Sequence, residues 1–196
     1  MSAMIDMVGA AILYGVLILA VGRVQGNLNS TMAQNTFNVN TQSQAVYLAE
    51  VIEYEVCKAG YGVSGSKITV ADDHTIAFKG AMNYGGSVDS IAYYAGPMDT
   101  TTQNPNDFRF VHNARSSGPM SQRLAMTAFD ISYFDTTNTK MPTPVTGSAL
   151  QAIRGIKIRF RLESPEPVID AMTGLENYNA VTWEKLIYPR NLGKPF

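Results

Sequence analysis

The chain begins with an apolar run that has almost no interruption. Residues 4–22 contain one charge, Asp6, and the first basic residue after it is Arg23. The eighteen uncharged residues of this run span roughly 27 Å as a helix, close to the thickness of a bilayer core. A secretory signal peptide begins with a basic region, so the pattern is not typical of one. A lone carboxylate in hydrocarbon costs about 3 kcal/mol, which predicts a partner for Asp6.

The pattern then changes to that of an amphipathic helix. Residues 27–44 are rich in Asn, Thr, Ser and Gln and contain no proline, which is typical of a weak helix or of a linker. Apolar residues next recur at helical spacing, at Ala45, Leu48, Ala49, Ile52, Val56 and Ala59. Glu50, Glu53 and Glu55 are assigned to the solvated face, and Gly60 to the C-terminal cap. We therefore predict one helix from about residue 3 to about residue 59.

Short β-rich segments separated by turns follow. They are predicted at 67–70, 75–79, 88–94, 108–111, 124–134, 156–162 and 180–188, with a turn at Asn83, Gly85 and Gly86. Strand 156–162 alternates strictly and places Lys157, Arg159 and Arg161 opposite its apolar face. Such a basic face is typical of a solvated surface that discourages edge pairing, with anion binding as the alternative. The polar loops 96–107 and 135–148 are predicted to be exposed.

These elements predict an α+β fold. The C-terminal half of the long helix packs on an antiparallel sheet of about six strands, through Ala45, Leu48, Ile52 and Val56. Along the chain we expect a hydrophobic N-terminal helix over 1–26, its amphipathic continuation over 27–59 and a globular β head over 60–196.

Composition excludes several classes of function. The net charge is −1 and no tract is rich in Lys or Arg, so nucleic acid is not expected as a main partner. The single cysteine, Cys57, excludes an intrachain disulfide and a cysteine-based zinc site, and is predicted to be a buried small side chain. His74 and His112 lack neighbours at ligand spacing and are predicted to be exposed. We expect no metal, no cofactor and no enzyme activity.

The amino-terminal residues resemble the type IV pilin superfamily, in particular its larger minor-pilin and pseudopilin branch. Family members begin their mature chain with a short apolar stretch and an acid, usually Glu, at the fifth position. Asp6 falls on that position if the chain starts at Ser2, and one place later if it starts at Met1. On the first count, Gly15 falls where many pilins have a helix-loosening glycine.

Three further segments are similar to the same branch. Residues 54–62 resemble the Ala-Gly-Tyr-Gly ending of its long helix, 83–94 resemble its turn and strand, and 187–192 resemble its closing Arg-Asn segment. Together with the amino terminus they cover about a third of the chain.

The resemblance implies a structural subunit of an extracellular filament for attachment, motility or uptake, with cell adhesion and a methylated amino terminus. It implies that the subunit rests in the cytoplasmic membrane before assembly and then pairs with copies of itself or with other pilins. The carboxylate of Asp6 then meets the amine of Ser2 or Met1 in an adjacent subunit. The implied helix contacts are Met4, Gly9, Ile12, Leu13, Gly15, Val16, Leu17 and Leu19.

Two alternatives remain open from the sequence. The same fold is found in the pseudopilins of secretion systems. A protein of another class, with a single membrane span and a β domain that binds a partner, is also compatible with the pattern. In that case residues 27–44 are a stalk and Asp6 is a cap of the helix.

Overall fold

The computed structural model describes residues 2–82, 86–114, 118–169 and 175–193. The chain divides into two compact units, Met1–Val39 and Asn40–Phe196. One helix, α1, spans Ser2–Cys57 and so belongs to both. The single long helix predicted from the sequence is present. The division of the chain into segments 1–26, 27–59 and 60–196 stays a prediction.

The polar stretch of α1 is helical, so the linker alternative for residues 27–44 is wrong. Thr31 donates its hydroxyl proton to the carbonyl of Asn27 at 2.9 Å, and Thr36 donates to the carbonyl of Met32 at 3.0 Å. Hydroxyl groups that bond the preceding turn in this way satisfy themselves without breaking the helix. Residues 27–44 contain no proline, so every backbone N–H of this stretch can donate a helical hydrogen bond.

The end of α1 is followed by a left-handed glycine. Gly60 has a φ of +80°, and its N–H donates to the carbonyl of Lys79 at 2.7 Å, which ties the turn to the sheet. A Cβ at this position would lie 2.8 Å from the Lys67 side chain. Glycine is therefore favoured by both conformation and space, as the predicted cap requires.

The rest of the second unit is β structure. Its strands are β1 Ile68–Ala71, β2 Thr75–Gly80, β3 Asp89–Met98, β4 Phe108–Ala114, β5 Gly118–Phe134, β6 Gly155–Glu163, β7 Val168–Ile169, β8 Glu176–Asn177 and β9 Ala180–Ile187. Seven of them form an antiparallel sheet in the order β1-β2-β3-β4-β5-β6-β9, and β7 pairs with β8 separately. The sequence did not predict β7 and β8. Of the predicted turn, Asn83 and Gly85 lie outside the described residues.

The hydrophobic core lies between one face of this sheet and the last turns of α1. Ala45, Leu48, Ile52 and Val56 are all buried in it, together with large side chains from the strands. The largest of these are Phe78, Tyr93, Phe110, Phe129, Tyr133 and Phe160. The α+β fold predicted from the sequence is confirmed.

Strand β6 shows the predicted alternation, but its position corrects one interpretation. Its apolar residues are buried, whereas Lys157 and Arg159 lie on the other face. Because β6 pairs with β5 on one side and β9 on the other, its cations do not protect an edge. Lys157 instead pairs across strands with Glu184 at 2.7 Å.

Candidate functional site

The N-terminal stretch of α1, residues 4–24, is exposed on all sides. The apolar residues of this stretch with large side chains are more than half exposed, namely Met4, Ile5, Met7, Val8, Ile12, Leu13, Tyr14, Val16, Leu17, Ile18, Leu19, Val21 and Val24. Soluble monomers rarely expose so large a continuous apolar surface, which marks a place where lipid or other protein is bound.

This stretch satisfies the physical requirements of a membrane span. α1 is long and apolar enough to cross a bilayer, and no part of its most apolar window is buried by the described residues. The backbone polar groups of a helix are bonded within the helix, as hydrocarbon demands. The residues can therefore anchor the chain in a membrane or assemble with other helices.

Asp6 is the one charge within this apolar surface. It is exposed between the exposed side chains of Ile5 and Met7, and it makes no ion pair with any residue that the structure describes. The first turn of α1 contains no acidic residue, since the helix begins at Ser2 and Asp6 is in its second turn. The alternative in which Asp6 caps the helix is therefore wrong. The Ser2 backbone starts the helix, and Met1 lies outside the described residues.

Contacts within the described residues do not require the glycines of this stretch. A Cβ added at Gly9, Gly15 or Gly22 would meet nothing within 4 Å. Glycine in a helix interior lowers helix stability by about 1 kcal/mol relative to alanine. Three such positions on an exposed apolar helix are compatible with a membrane span and with close approach of another helix.

The second unit holds a polar cluster that the sequence did not predict. Glu55 of α1 accepts a hydrogen bond from the Tyr93 hydroxyl of β3, and its Oε2 lies 3.0 Å from Nε2 of His112 on β4. The side chains of Glu55 and His112 are each only 15% exposed, so the predictions that they face solvent are wrong. Glu55 follows buried Ile52 by three positions, which places it at the border of the packed face.

The Tyr93 hydroxyl stays protonated in this cluster. Burial, and next the neighbouring Glu55 carboxylate, raise the pKa of Tyr93 far above its usual range. A neutral phenol can donate a hydrogen bond to a carboxylate, whereas a phenolate would repel it. The contact therefore fixes the carboxylate of the helix to the sheet.

A second buried polar cluster lies in a loop that was predicted to be exposed. Asp99, Asn104 and Asp107 are buried, and the Asn104 amide donates to Glu163 at 2.9 Å. The loop is folded on itself, since the N–H of Asp99 donates to the carbonyl of Asp107 at 2.9 Å. Burial and, to a lesser extent, the nearby Asp99 and Glu163 raise the pKa of Asp107 above its usual value, although a hydrogen bond from Thr102 opposes them.

The remaining candidate residues show little convergence. His74 is exposed as predicted, with Nδ1 at 2.7 Å from the Phe129 carbonyl. Cys57 is exposed rather than buried, because it follows Val56 and points away from the packed face of α1. Over the described ranges, no three His, Cys, Asp or Glu side chains are grouped so that they hold a metal ion.

Comparison with known protein families and with curated protein sequences found no match.

Proposed function

We propose that this chain is a structural subunit of a type IV pilin-like filament, assembled through the N-terminal stretch of α1. The observation that carries the proposal is the carboxylate of Asp6 on an apolar helix surface that nothing in the described chain covers. A membrane anchor has no use for this acid, which costs about 3 kcal/mol at the centre of a span and less near its end, where Asp6 lies. A filament gives the carboxylate a function.

The filament supplies what the isolated helix lacks. Before assembly, lipid covers the apolar stretch; after assembly, the same stretches of other copies, or of other pilins, replace the lipid in a central bundle. Gly9 and Gly15 allow close approach of backbones, and larger side chains fill the remaining space. These larger side chains are Met4, Ile12, Leu13, Val16, Leu17 and Leu19.

Asp6 then pairs with the amino terminus of an adjacent copy, at Ser2 or Met1. Inside the bundle the dielectric is low, so the attraction between these charges is strong and an unpaired partner is costly, on the order of 3–5 kcal/mol. The pair therefore fixes the axial register of neighbouring subunits. It also explains why an acid is retained in a stretch that must first enter lipid.

The length of α1 also favours a second candidate, a single-span protein whose β domain acts alone at the membrane surface. A membrane-anchored protein needs an apolar helix long enough to cross the bilayer. It does not need Asp6, or glycine at Gly9, Gly15 and Gly22. The two candidates differ in oligomeric state, since the anchor stays a monomer and the pilin forms filaments. A pseudopilin differs from a pilus subunit in location, because its filament stays within the cell envelope.

The test is electron microscopy of material sheared from cells that express the chain, with immunolabelling of the β head. We expect labelled filaments for the wild type and for Asp6→Glu, which keeps the charge. For Asp6→Asn, which is matched in size but uncharged, we expect loss of filaments while the chain stays in the membrane fraction. Filaments of normal yield and axial rise from Asp6→Asn would contradict the role of Asp6. A wild-type chain found only as a detergent-soluble monomer would favour the anchor.

A further inference from the structure

A groove in the second unit lies between the last turns of α1 and strands β3 and β4. Its volume is about 460 Å³. Ligand-binding clefts commonly measure about 300–1,000 Å³ and combine apolar walls with a few convergent polar groups. This groove has both, because its lining includes Tyr47, Tyr54, Phe110 and His112 beside the carboxylates of Glu50 and Glu55.

The floor of the groove is rigidly built. The Tyr93 ring stacks on Phe110, with ring centroids 5.6 Å apart, and on His112, with centroids 4.8 Å apart. Tyr93 also holds the carboxylate of Glu55 through its hydroxyl. Tyr93 and Phe110 are fully buried in the sheet, and Tyr93 holds Glu55 of α1, so the acid is oriented before any ligand arrives.

The rim of the groove consists of exposed residues of α1. Tyr47 and Tyr54 are 62% and 56% exposed, and Glu50 lies between them on the helix. Positions separated by three, four and seven residues share one helix face, so the two rings and the carboxylate line the same side of the groove.

The charge of the groove selects the class of ligand. Its lining holds two carboxylates and no lysine or arginine. Glu55 is already bonded to Tyr93 and lies 3.0 Å from His112, so the exposed carboxylate of Glu50 is the one that faces a ligand. Tyrosine faces attract cations through the negative face of the ring. The chain already shows this property at the rim, where the Lys58 ammonium lies 4.1 Å from the centroid of the Tyr54 ring. Since Lys58 already lies over Tyr54, Tyr47 is the exposed rim ring that a ligand would contact.

We infer that this groove binds an organic cation, an ammonium group that carries apolar substituents. The substituents contact Tyr47 and Val51, and the charge lies near Glu50, while the buried rings of Tyr93 and Phe110 support the groove from beneath. The inference goes beyond filament assembly and does not depend on it, because every residue involved belongs to the second unit.

The experiment is isothermal titration of the full-length chain, kept in maltoside micelles to avoid detergents with choline headgroups. The probe is choline, and its control is the neutral isostere in which carbon replaces the quaternary nitrogen. We expect saturable binding of choline and about tenfold weaker binding of the isostere, because only choline is attracted by the carboxylates and ring faces. Equal binding of the two, or no binding of choline, would overturn the inference.

Variants locate the binding. Glu50→Gln and Tyr47→Leu change exposed side chains, and we expect each to weaken choline binding several-fold while the unfolding midpoint stays unchanged. The matched control is Glu53→Gln, which removes the same charge from the same helix but lies outside the groove, where Glu53 pairs with Lys185. Affinity lowered equally by Glu50→Gln and Glu53→Gln would show a general charge effect and overturn the site.

Discussion

The two ends of α1 are made of the same kinds of apolar side chain in different surroundings. Leu13 is 71% exposed, whereas Leu48 is 3% exposed in the core of the second unit. Full burial of such a side chain is favourable by about 1.5–3 kcal/mol. The last turns of α1 obtain this energy from the sheet of their own chain. The first turns have no such surface in the described chain and must obtain it from lipid or from other subunits.

The comparison also separates two uses of charge. Glu55, near the C-terminal end of α1, is satisfied within the chain by Tyr93. The side-chain carboxylate of Asp6, near the N-terminal end, makes no ion pair or hydrogen bond with any described residue. The fold therefore supplies the hydrogen-bond partner of Glu55. In our proposal, assembly supplies the partner of Asp6.

The largest expected effect comes from truncating one isoleucine at each end. Ile52 is fully buried and Ile12 is 62% exposed. Ile52→Ala should lower the free energy of unfolding by about 3 kcal/mol, since it leaves a cavity in the core. Ile12→Ala should leave that free energy unchanged in micelles and reduce filament yield instead. Denaturant unfolding followed by Trp183 fluorescence checks the first part, and equal destabilisation by both variants would contradict the comparison.

Two glycines sharpen the same contrast. A Cβ at Gly80 of β2 would lie 2.5 Å from the backbone carbonyl oxygen of Lys58, whereas a Cβ at Gly15 would meet nothing within 4 Å. Gly80→Ala should destabilise the second unit by about 1–3 kcal/mol because the backbone must shift. Gly15→Ala should not destabilise the monomer, because helix propensity favours alanine by about 1 kcal/mol.

Filament yield is the second measurement on the glycine pair. If another helix approaches closely at Gly15, the added methyl group should lower the yield while the monomer unfolds at the wild-type midpoint. A Gly15→Ala chain that assembles as well as the wild type would remove the packing argument for this glycine.

Two buried tyrosines of the sheet, Tyr93 and Tyr133, predict a loss of stability at alkaline pH. Burial raises the pKa of Tyr93 and of Tyr133 above the ordinary value of 10.0. Because the folded state holds these protons more tightly, the stability they contribute is complete below pH 10 and falls as the pH rises above it. Ultraviolet titration should show both tyrosines ionising only as the domain unfolds. In Tyr93→Phe, one tyrosine fewer should ionise in the step that accompanies unfolding. An unchanged number of tyrosines in that step would contradict the raised pKa of Tyr93.

A smaller pH effect is expected at the buried loop. Burial raises the pKa of Asp107 above 3.8, so the folded state binds the proton of this carboxyl group more tightly than the unfolded state does. Stability therefore falls as the pH rises from 3.8 through the raised pKa. Asp107→Asn removes the titrating group. The variant should therefore gain stability relative to the wild type as the pH is raised from the acid range. Denaturant unfolding at several pH values measures the difference, and a difference independent of pH would contradict it.

The sequence predicted the elements whose hydrophobic pattern is regular. One buried face is indicated by the helical spacing of Ala45, Leu48, Ile52 and Val56, and another by the alternation from Ile156 to Leu162. The structure buries the apolar residues of both segments. Periodicity of this kind survives in the fold because it is imposed by the geometry of the element itself.

Polar residues that are buried by tertiary contacts were not predicted. Glu55 reads as part of a solvated helix face, and His112 as a strand end, until β3 and β4 bring Tyr93 and His112 against the helix. Asp107 reads as a loop residue for the same reason, since nothing local shows that the loop folds over it. A polar side chain carries no local signal of its burial, because burial depends on residues distant in sequence.

The proposed assembly is best tested by a helical reconstruction of filaments formed by this chain. In the proposed assembly, residues 4–24 are buried against the same residues of other copies. The assembly also places the Asp6 carboxylate within salt-bridge distance of the amino terminus of an adjacent copy. A filament held together only by contacts between β heads, with the apolar stretch of α1 exposed or in lipid, would contradict it.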